Sequence, residues 1–481
     1  MYERNAFYID GRWERPSSGQ RIPVISPSSE SIVGSVPEGM PADIDRAVGA
    51  ARRAFDQGPW PRMLPSERAA IVDKMADYFE QKGPEITELL VDEMGAPLQF
   101  MRAAEQSSAA LLRMYANLGR ETPLETVREG VSGKSIVRHE AVGVVAAITP
   151  WNGPLFILLL KCAPALVAGC TIVAKPSPEA PLDAYFLAEA AEAAGLPEGV
   201  LNIVPGGRET GEHLVRHPGI DKVSFTGSTA AGRKIGAICG EHLKRCGLEL
   251  GGKSAAILLE DADLSTAVPT SVHLGLAFNN GQACAALTRV LAPSHRYAEV
   301  VEAFREVVSG LVQGDPHDIA TQVGPLIASR QRDRVESYIR LGLEQGARIA
   351  IGGKRPKDLK RGWFVEPTVF YDVTNQMRIA REEIFGPVGV IIPYDSEEQA
   401  ISIANDSDYG LAGAVFSSDA SHALSVARQM RAGTIGVNTF GVDLCCPFGG
   451  FKASGIGREM GPEGLAAFLE AKTLLGAGSL G

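Results

Sequence analysis

From residue 142 onward the chain alternates short runs of β-branched residues with segments long enough to be helices, and that alternation restricts the fold more than any other feature. The runs are residues 142–149, 171–175, 200–204 and 222–225, and between them lie helix-like residues 155–166, 182–194 and 209–216. Parallel neighbours need a crossover of a dozen or more residues, because the chain must travel back to the starting end of the sheet before the next strand begins. The pattern predicts a doubly wound α/β sheet. After Gly251 the rhythm restarts at residues 255–259 and continues through 388–394, 413–416 and 434–438, which predicts a second α/β domain beyond a Gly251-Gly252 hinge. Upstream, apolar residues recur at helical spacing over 43–55 and 66–94, with Pro59, Pro61 and Pro65 between the runs. The N-terminal part is therefore expected to be largely helical. Residues 121–139 are polar with few helical signals and read as an extended hairpin, an arm suited to assembly.

A chain of 481 residues has length for roughly three domains and more than one core. Lys and Arg number 47 against 57 Asp and Glu, a formal charge of -10, which excludes the broad basic field that nucleic acid requires. The seven cysteines form no CxxC pair, so the sequence predicts free thiols in a reducing, cytoplasmic setting and no metal site. Residues 1–13 lack a signal-type apolar core. The one long apolar stretch, 154–173, contains Lys161, Pro164 and Gly169, so it reads as a buried helix entering a buried strand rather than a membrane span.

Chemistry concentrates in two segments. Cys284 ends Phe278-Asn279-Asn280-Gly281-Gln282-Ala283-Cys284, and Glu249 sits in Leu248-Glu249-Leu250-Gly251-Gly252-Lys253. A thiol supplies a nucleophile and a carboxylate a base, while Gly-rich flanks bring backbone N–H groups near a reacting carbonyl. A lone cysteine is also simply a small buried hydrophobe. Phe225-Thr226-Gly227-Ser228-Thr229 passes from strand to helix, where unpaired N–H groups face either a phosphate or only their own cap. Lys175-Pro176-Ser177 adds a cation on the same predicted sheet edge, so a nucleotide is expected there. Gly455-Ile456-Gly457-Arg458-Glu459-Met460-Gly461 lacks a βαβ setting and reads as a demanding loop, not a dinucleotide fingerprint.

With these segments stand Thr149-Pro150-Trp151-Asn152, Glu382-Glu383-Ile384-Phe385-Gly386-Pro387-Val388 and Pro447-Phe448-Gly449-Gly450-Phe451-Lys452. In this order the set resembles the aldehyde dehydrogenase superfamily over almost the whole chain. The resemblance implies a Rossmann-like coenzyme domain (1–119 and 143–250), an α/β catalytic domain (251–462) and a small β oligomerisation arm (120–142 and 463–481), giving a homodimer or homotetramer. It implies that Cys284 attacks an aldehyde, that Asn152 and the Cys284 N–H hold the oxyanion, and that Glu249 activates water against the resulting thioester. Glu459 and Lys161 are implied as a proton relay. The coenzyme is expected to meet Thr149, Pro150, Trp151, Lys175, Ser177, Gly207, Gly227, Ser228, Leu250, Gly251, Glu383 and Phe385.

One departure stands out: the family often reads Lys-Pro-Ser-Glu, whereas Pro178 and then Glu179 follow Ser177 here. NAD is expected, with NADP as the alternative. Gly153, Phe156, Ile157 and Leu160 on one side, with Asp443, Cys445 and Phe448 on the other, are expected to line the aldehyde pocket. Their largely apolar character points to a neutral aliphatic, terpenoid or aromatic aldehyde. The rival readings are a coenzyme A-acylating enzyme, which Glu249 opposes, a cofactor-independent cysteine hydrolase, and a non-catalytic binding protein on the same scaffold.

Overall fold

The computed structural model describes residues 1–131 and 133–475. Its larger sheet has eight strands, in the order Gly455–Ile456, Arg245–Glu249, Lys222–Thr226, Val144–Ile148, Thr171–Lys175, Leu201–Ile203, Phe7–Ile9 and Arg12–Glu14. The five from Arg245–Glu249 to Leu201–Ile203 are parallel. Side chains of a strand alternate between faces, and both faces here are apolar. Val145 and Ala147 enter a core with helices Pro65–Met94, Leu98–Glu121, Pro154–Ala168 and Ala184–Ala194, while Val144, Ala146 and Ile148 enter another with Pro41–Asp56 and Arg208–Arg216. Burial on both sides is why these strands read as unbroken apolar runs.

Val144–Ile148 lies in the middle. The chain works outward through Thr171–Lys175 and Leu201–Ile203, then crosses to the other side of Val144–Ile148 for Lys222–Thr226 and Arg245–Glu249. Loops leaving adjacent strands in opposite directions open a crevice at their carboxyl ends, where doubly wound sheets bind ligands.

The second sheet has seven strands, in the order Arg348–Ile351, Thr368–Tyr371, Val388–Tyr394, Arg289–Pro293, Ala255–Leu258, Ala412–Phe416 and Thr434–Val437, all parallel except the first. It too is covered on both faces. A third sheet pairs Gly133–Ala141 with Glu125–Gly130 on one side and Leu469–Leu474 on the other, all antiparallel. Residues 476–481, assigned to the arm, lie outside the described residues.

Three expectations need correction. The region before residue 40 is not helical: it holds five strands of two to six residues, too short to show a period. Two of them extend the large sheet, and the alternating burial of Arg21–Ile25 marks a third as half-covered. Gly251-Gly252 is not a free hinge, since the Gly252 N–H donates to Glu383 Oε1 at 3.0 Å and a Cβ on Gly252 would lie 2.2 Å from the Cys284 carbonyl oxygen. Finally, Gly455–Ile456 leaves the second sheet's neighbourhood and pairs antiparallel with Leu248 and Glu249, while Met460, Leu465 and Phe468 join the first sheet's core. The chain thereby closes over the end of the strand that carries Glu249.

Candidate active site

The crevice opens into a cavity of about 1260 Å³. Thr149, Pro150, Trp151, Asn152, Lys175, Ser177, Gly207, Gly227, Ser228, Leu250, Gly251, Glu383 and Phe385 all line it, and so does Cys284. Residues from both large sheets therefore border one space.

Its first wall is the turn from Lys222–Thr226 into the helix Thr229–Glu241. Ser228 caps that helix, its Oγ accepting the Ala231 N–H at 3.3 Å, so the positive end of the helix faces the cavity. Gly227 lies against the Phe225 ring, where a Cβ would come within 2.5 Å of Cζ. Only glycine lets a ligand approach the main chain there. Lys175, buried, gives two of its N–H bonds to the carbonyls of Pro176 and Gly206, at 2.9 and 2.8 Å, and its burial lowers its pKa to about 8. Glu179 accepts from the Ser177 hydroxyl and pairs with Arg330.

The opposite wall is the Glu383–Phe385 loop, with Phe385 in left-handed backbone at φ 63° and its ring edge-on to Trp151 at 5.2 Å. Helix Ser329–Glu344 holds this loop: Gln331 Nε2 donates to the Phe385 carbonyl and Arg334 Nη2 to the Glu383 carbonyl, each at 2.6 Å. Arg330, Gln331, Arg334 and Tyr338 also line the cavity, and sequence reasoning missed them. Their i, i+4 spacing marks one helix face, but nothing local says what that face meets.

Cys284 follows a strained loop. Asn279, Asn280 and Gly281 all occupy left-handed backbone, at φ 49°, 57° and 71°, a region that costs non-glycine residues energy and that asparagine tolerates better than most. Buried amides hold the loop there. Asn280 Nδ2 donates to the carbonyls of Gly95 and Pro325 at 3.1 and 2.8 Å, and its Oδ1 accepts the Gly324 N–H at 2.6 Å. Gln282 Oε1 accepts the Ile327 N–H at 3.0 Å. Asn152 reaches the loop from the first sheet, its Nδ2 donating to the Gln282 carbonyl at 3.0 Å.

Burial, with the carboxylates of Glu383 and Glu249 nearby, pushes the Cys284 thiol up to about 12. Glu249 ends its strand buried, with Oε2 lacking a hydrogen-bond partner. Burial and the Glu459 carboxylate hold it well above the usual range, with Lys161 and Arg458 pulling the other way. Lys161, fully buried, donates to Glu459 Oε1 and to Thr226 Oγ1, each at 2.7 Å. Burial also raises Glu383, against the Gly252 N–H. Among the described residues neither Glu249 nor Glu383 forms a salt bridge. The site thus gathers proton-retaining groups around one thiol.

None of the expected pocket residues, Gly153, Phe156, Ile157, Leu160, Asp443, Cys445 and Phe448, lines this cavity. Phe156 and Phe448 pack against the core that contains Leu160, whereas Asp443 and Cys445 are exposed, with Asp443 Oδ1 spent on the Cys445 N–H at 2.9 Å. Gly153 caps the helix Pro154–Ala168 directly after Asn152.

A thiol near a buried carboxylate thus borders a crevice walled by a capped helix end, an arrangement that can do nucleophilic chemistry on a bound ligand. The aldehyde dehydrogenase family model matches residues 13–474, and the chain belongs to the aldehyde dehydrogenase family. It is 48% identical over 469 residues to a geranial dehydrogenase of Castellaniella defragrans (97% of this chain, 98% of the relative). It is 44% identical to a 3-succinoylsemialdehyde-pyridine dehydrogenase of a Pseudomonas species (99% of each). Among solved structures it resembles a Mycobacterium tuberculosis aldehyde dehydrogenase complexed with NAD+, with TM-score 0.97, 50% identity and 98% of each chain covered. It also resembles a mutant of aldehyde dehydrogenase C from Pseudomonas syringae in complex with NAD+ and octanal, with TM-score 0.95, 40% identity, and 98% and 96% of the two chains covered.

Proposed function

We propose that the protein oxidises an aldehyde to its carboxylic acid with NAD+, through a covalent bond to Cys284 that water then cleaves. The observation that carries this reading is that Cys284 borders the same cavity as the Ser228-capped helix and Glu383.

The residues fit an oxidised nicotinamide coenzyme. The helix end and Gly227 suit its pyrophosphate, and Glu383, bonded only to the Gly252 N–H, has Oε2 left to accept ribose hydroxyls. Cys284, Glu383 and Glu249 lie together without a salt-bridged cation, and the oxidised ring carries the positive charge they lack. When bound, NAD+ supplies the hydride acceptor.

Cys284 Sγ attacks the aldehyde carbon while its proton passes to Glu249, whose raised proton affinity makes it a stronger base than an ordinary carboxylate. The oxygen of the adduct takes the second N–H of the Asn152 amide and the Cys284 N–H. Once the substrate carbon is oxidised, Cys284 holds a thioester. The Glu459–Lys161 pair carries the first proton away, so that Glu249, again a carboxylate, takes a proton from the water that releases the acid and passes it along the same pair.

Glu179, on the cavity wall beside Ser177 although paired with Arg330, favours NAD over NADP because a carboxylate there opposes the added charge of a 2′-phosphate. The relatives named for geranial and found with octanal favour a neutral aliphatic, terpenoid or aromatic aldehyde. Val127 is two-thirds exposed on the arm sheet, which supports a second copy docking there as dimer or tetramer. Seven free thiols favour the cytoplasm.

Replacing Cys284 with alanine tests the core of the proposal. NAD-dependent acid formation should vanish while coenzyme affinity and melting temperature stay near wild type. Normal turnover in that variant eliminates the nucleophile. An aldehyde panel with both coenzymes, read as kcat/KM, tests the finer assignments: they fail if NADP is strongly preferred or if short dicarboxylic semialdehydes are the best substrates.

A further inference from the structure

Two consecutive asparagines precede the nucleophile, and the structure gives them different work. Both are buried and both are left-handed. Asn280 spends its amide on Gly95, Gly324 and Pro325, none of which lines the cavity. Asn279 turns toward the chemistry. Its Nδ2 donates to the Asn152 carbonyl at 2.6 Å and to the Gln282 carbonyl at 3.2 Å. That Gln282 carbonyl also accepts Asn152 Nδ2 at 3.0 Å. Asn152, Asn279 and Gln282 therefore close a ring of hydrogen bonds between the first sheet and the loop that ends at Cys284.

We infer that Asn279 is a positioning residue for the reaction: it ties the main chain of Asn152 to the Cys284 loop and so sets the spacing between the oxyanion-holding amide and the sulfur. The inference rests on the proposed roles of Asn152 and Cys284. A second observation supports it. Asn279 Oδ1 is buried without a hydrogen-bond partner, a cost that buried polar groups seldom carry without function. Glycine suits left-handed backbone better and leaves no such orphan, so the asparagine is there for its donor. The Asn152 amide has one N–H on the Gln282 carbonyl, and its remaining N–H points as the Asn152 main chain dictates. Holding that main chain from the loop side makes donor and nucleophile move together.

The test compares Asn279→Gly, which keeps the left-handed turn and removes the side-chain bonds, with Asn280→Gly. For Asn279→Gly the expected result is a fall in kcat of about 10- to 100-fold, the size of effect that a misplacement near 1 Å produces. Its aldehyde KM, coenzyme Kd and melting temperature should stay close to wild type. Asn280→Gly should instead lower the melting temperature, with any fall in kcat following that loss of stability. A third variant, Asn279→Asp, adds a readout that a merely structural role would not move. Its protonated carboxyl can donate to the Asn152 carbonyl and its ionised form cannot, so its kcat relative to wild type should rise as pH falls from 9 to 6.

The inference is overturned if Asn279→Gly turns over like wild type. It is equally overturned if its kcat falls only in step with coenzyme affinity and melting temperature, or if the relative rate of Asn279→Asp is flat with pH. Failure of the parent reading looks different: wild-type protein would then oxidise no aldehyde with NAD+ at all.

Discussion

Alkylation of the coenzyme-free protein by iodoacetamide reports directly on how the fold treats its nucleophile. With the Cys284 thiol pushed up to about 12, only about one molecule in 30,000 carries thiolate at pH 7.5, against about one in ten for a free cysteine near 8.5. That is a deficit of roughly 3,000-fold. A thiolate of higher pKa is intrinsically more nucleophilic, with a Brønsted slope of about 0.4–0.5, which returns roughly 30-fold over this gap. The deficit wins, and Cys284 should react about 100-fold more slowly than a free thiol. Peptide mass spectrometry separates it from Cys445 and Cys446, which are exposed and should be labelled first. Glu383→Gln removes the larger of the two charge effects on the sulfur and should speed labelling. The wild-type rate should still be climbing at pH 10. A Cys284 rate at pH 7.5 within tenfold of a free thiol, or a plateau below pH 9, refutes the view that burial keeps the thiol protonated until Glu249 takes its proton.

Other perturbations probe other parts. Glu249→Gln should slow the first-turnover formation of NADH and lower steady-state acid formation by about 10²–10⁴-fold; a burst at the wild-type rate would remove Glu249 from the first step. Gly252→Ala pushes a Cβ to 2.2 Å from the Cys284 carbonyl oxygen, and turnover should drop more than about tenfold by displacement of the nucleophile; unchanged kcat would show that the contact relaxes freely. Asp183 is buried beside Glu93, and burial raises both carboxyls, Asp183 to about 8. An acid with its folded pKa raised keeps a proton that the unfolded chain releases near 4, so the Asp183 contribution makes stability decline as pH rises from about 4 to about 8, by roughly 1.4 kcal/mol per pH unit, and Glu93 acts in the same direction. Asp183→Asn removes that slope, and its melting temperature should gain on wild type between pH 5 and pH 8; parallel curves would contradict the burial argument.

The parts of this fold that were legible in sequence are those whose burial writes a long pattern. Thr171–Lys175 and Pro154–Ala168 are buried nearly all round and read as apolar runs, and Pro65–Met94 is long enough to show a period. Tyr2–Glu3 and Phe7–Ile9 are too short for any period, and they exist because Gly34 and Tyr8 find partners across the chain. The same limit governed the site. Cys284, Glu249 and Asn152 sit in local segments whose composition is itself unusual. Gln331 and Arg334 sit in an ordinary surface-type helix, and their importance arises only because its first turns lie against the carbonyls of Glu383 and Phe385.

What the sequence concealed most completely is the crowding around the sulfur. Three glycines leave no room for a side chain near the reacting groups: a Cβ on Gly252 would meet the Cys284 carbonyl oxygen at 2.2 Å, one on Gly281 the Gly386 main chain at 2.4 Å, and one on Gly449 both Glu249 Oε1 and the Gly457 carbonyl oxygen at 2.8 Å. Each marks a place where two backbones approach more closely than any side chain allows. Read as local signals they suggest turns and hinges, structures that move. In the fold they remove space, so that the Cys284 thiol, Glu249 and the Glu383–Phe385 loop have little freedom relative to one another. Rigidity from close backbone packing is compatible with the left-handed strain at Asn279 and Asn280, because only a loop fixed on all sides can be held there. The strain and the glycines are thus two expressions of one requirement, the placement of a single sulfur between two domains.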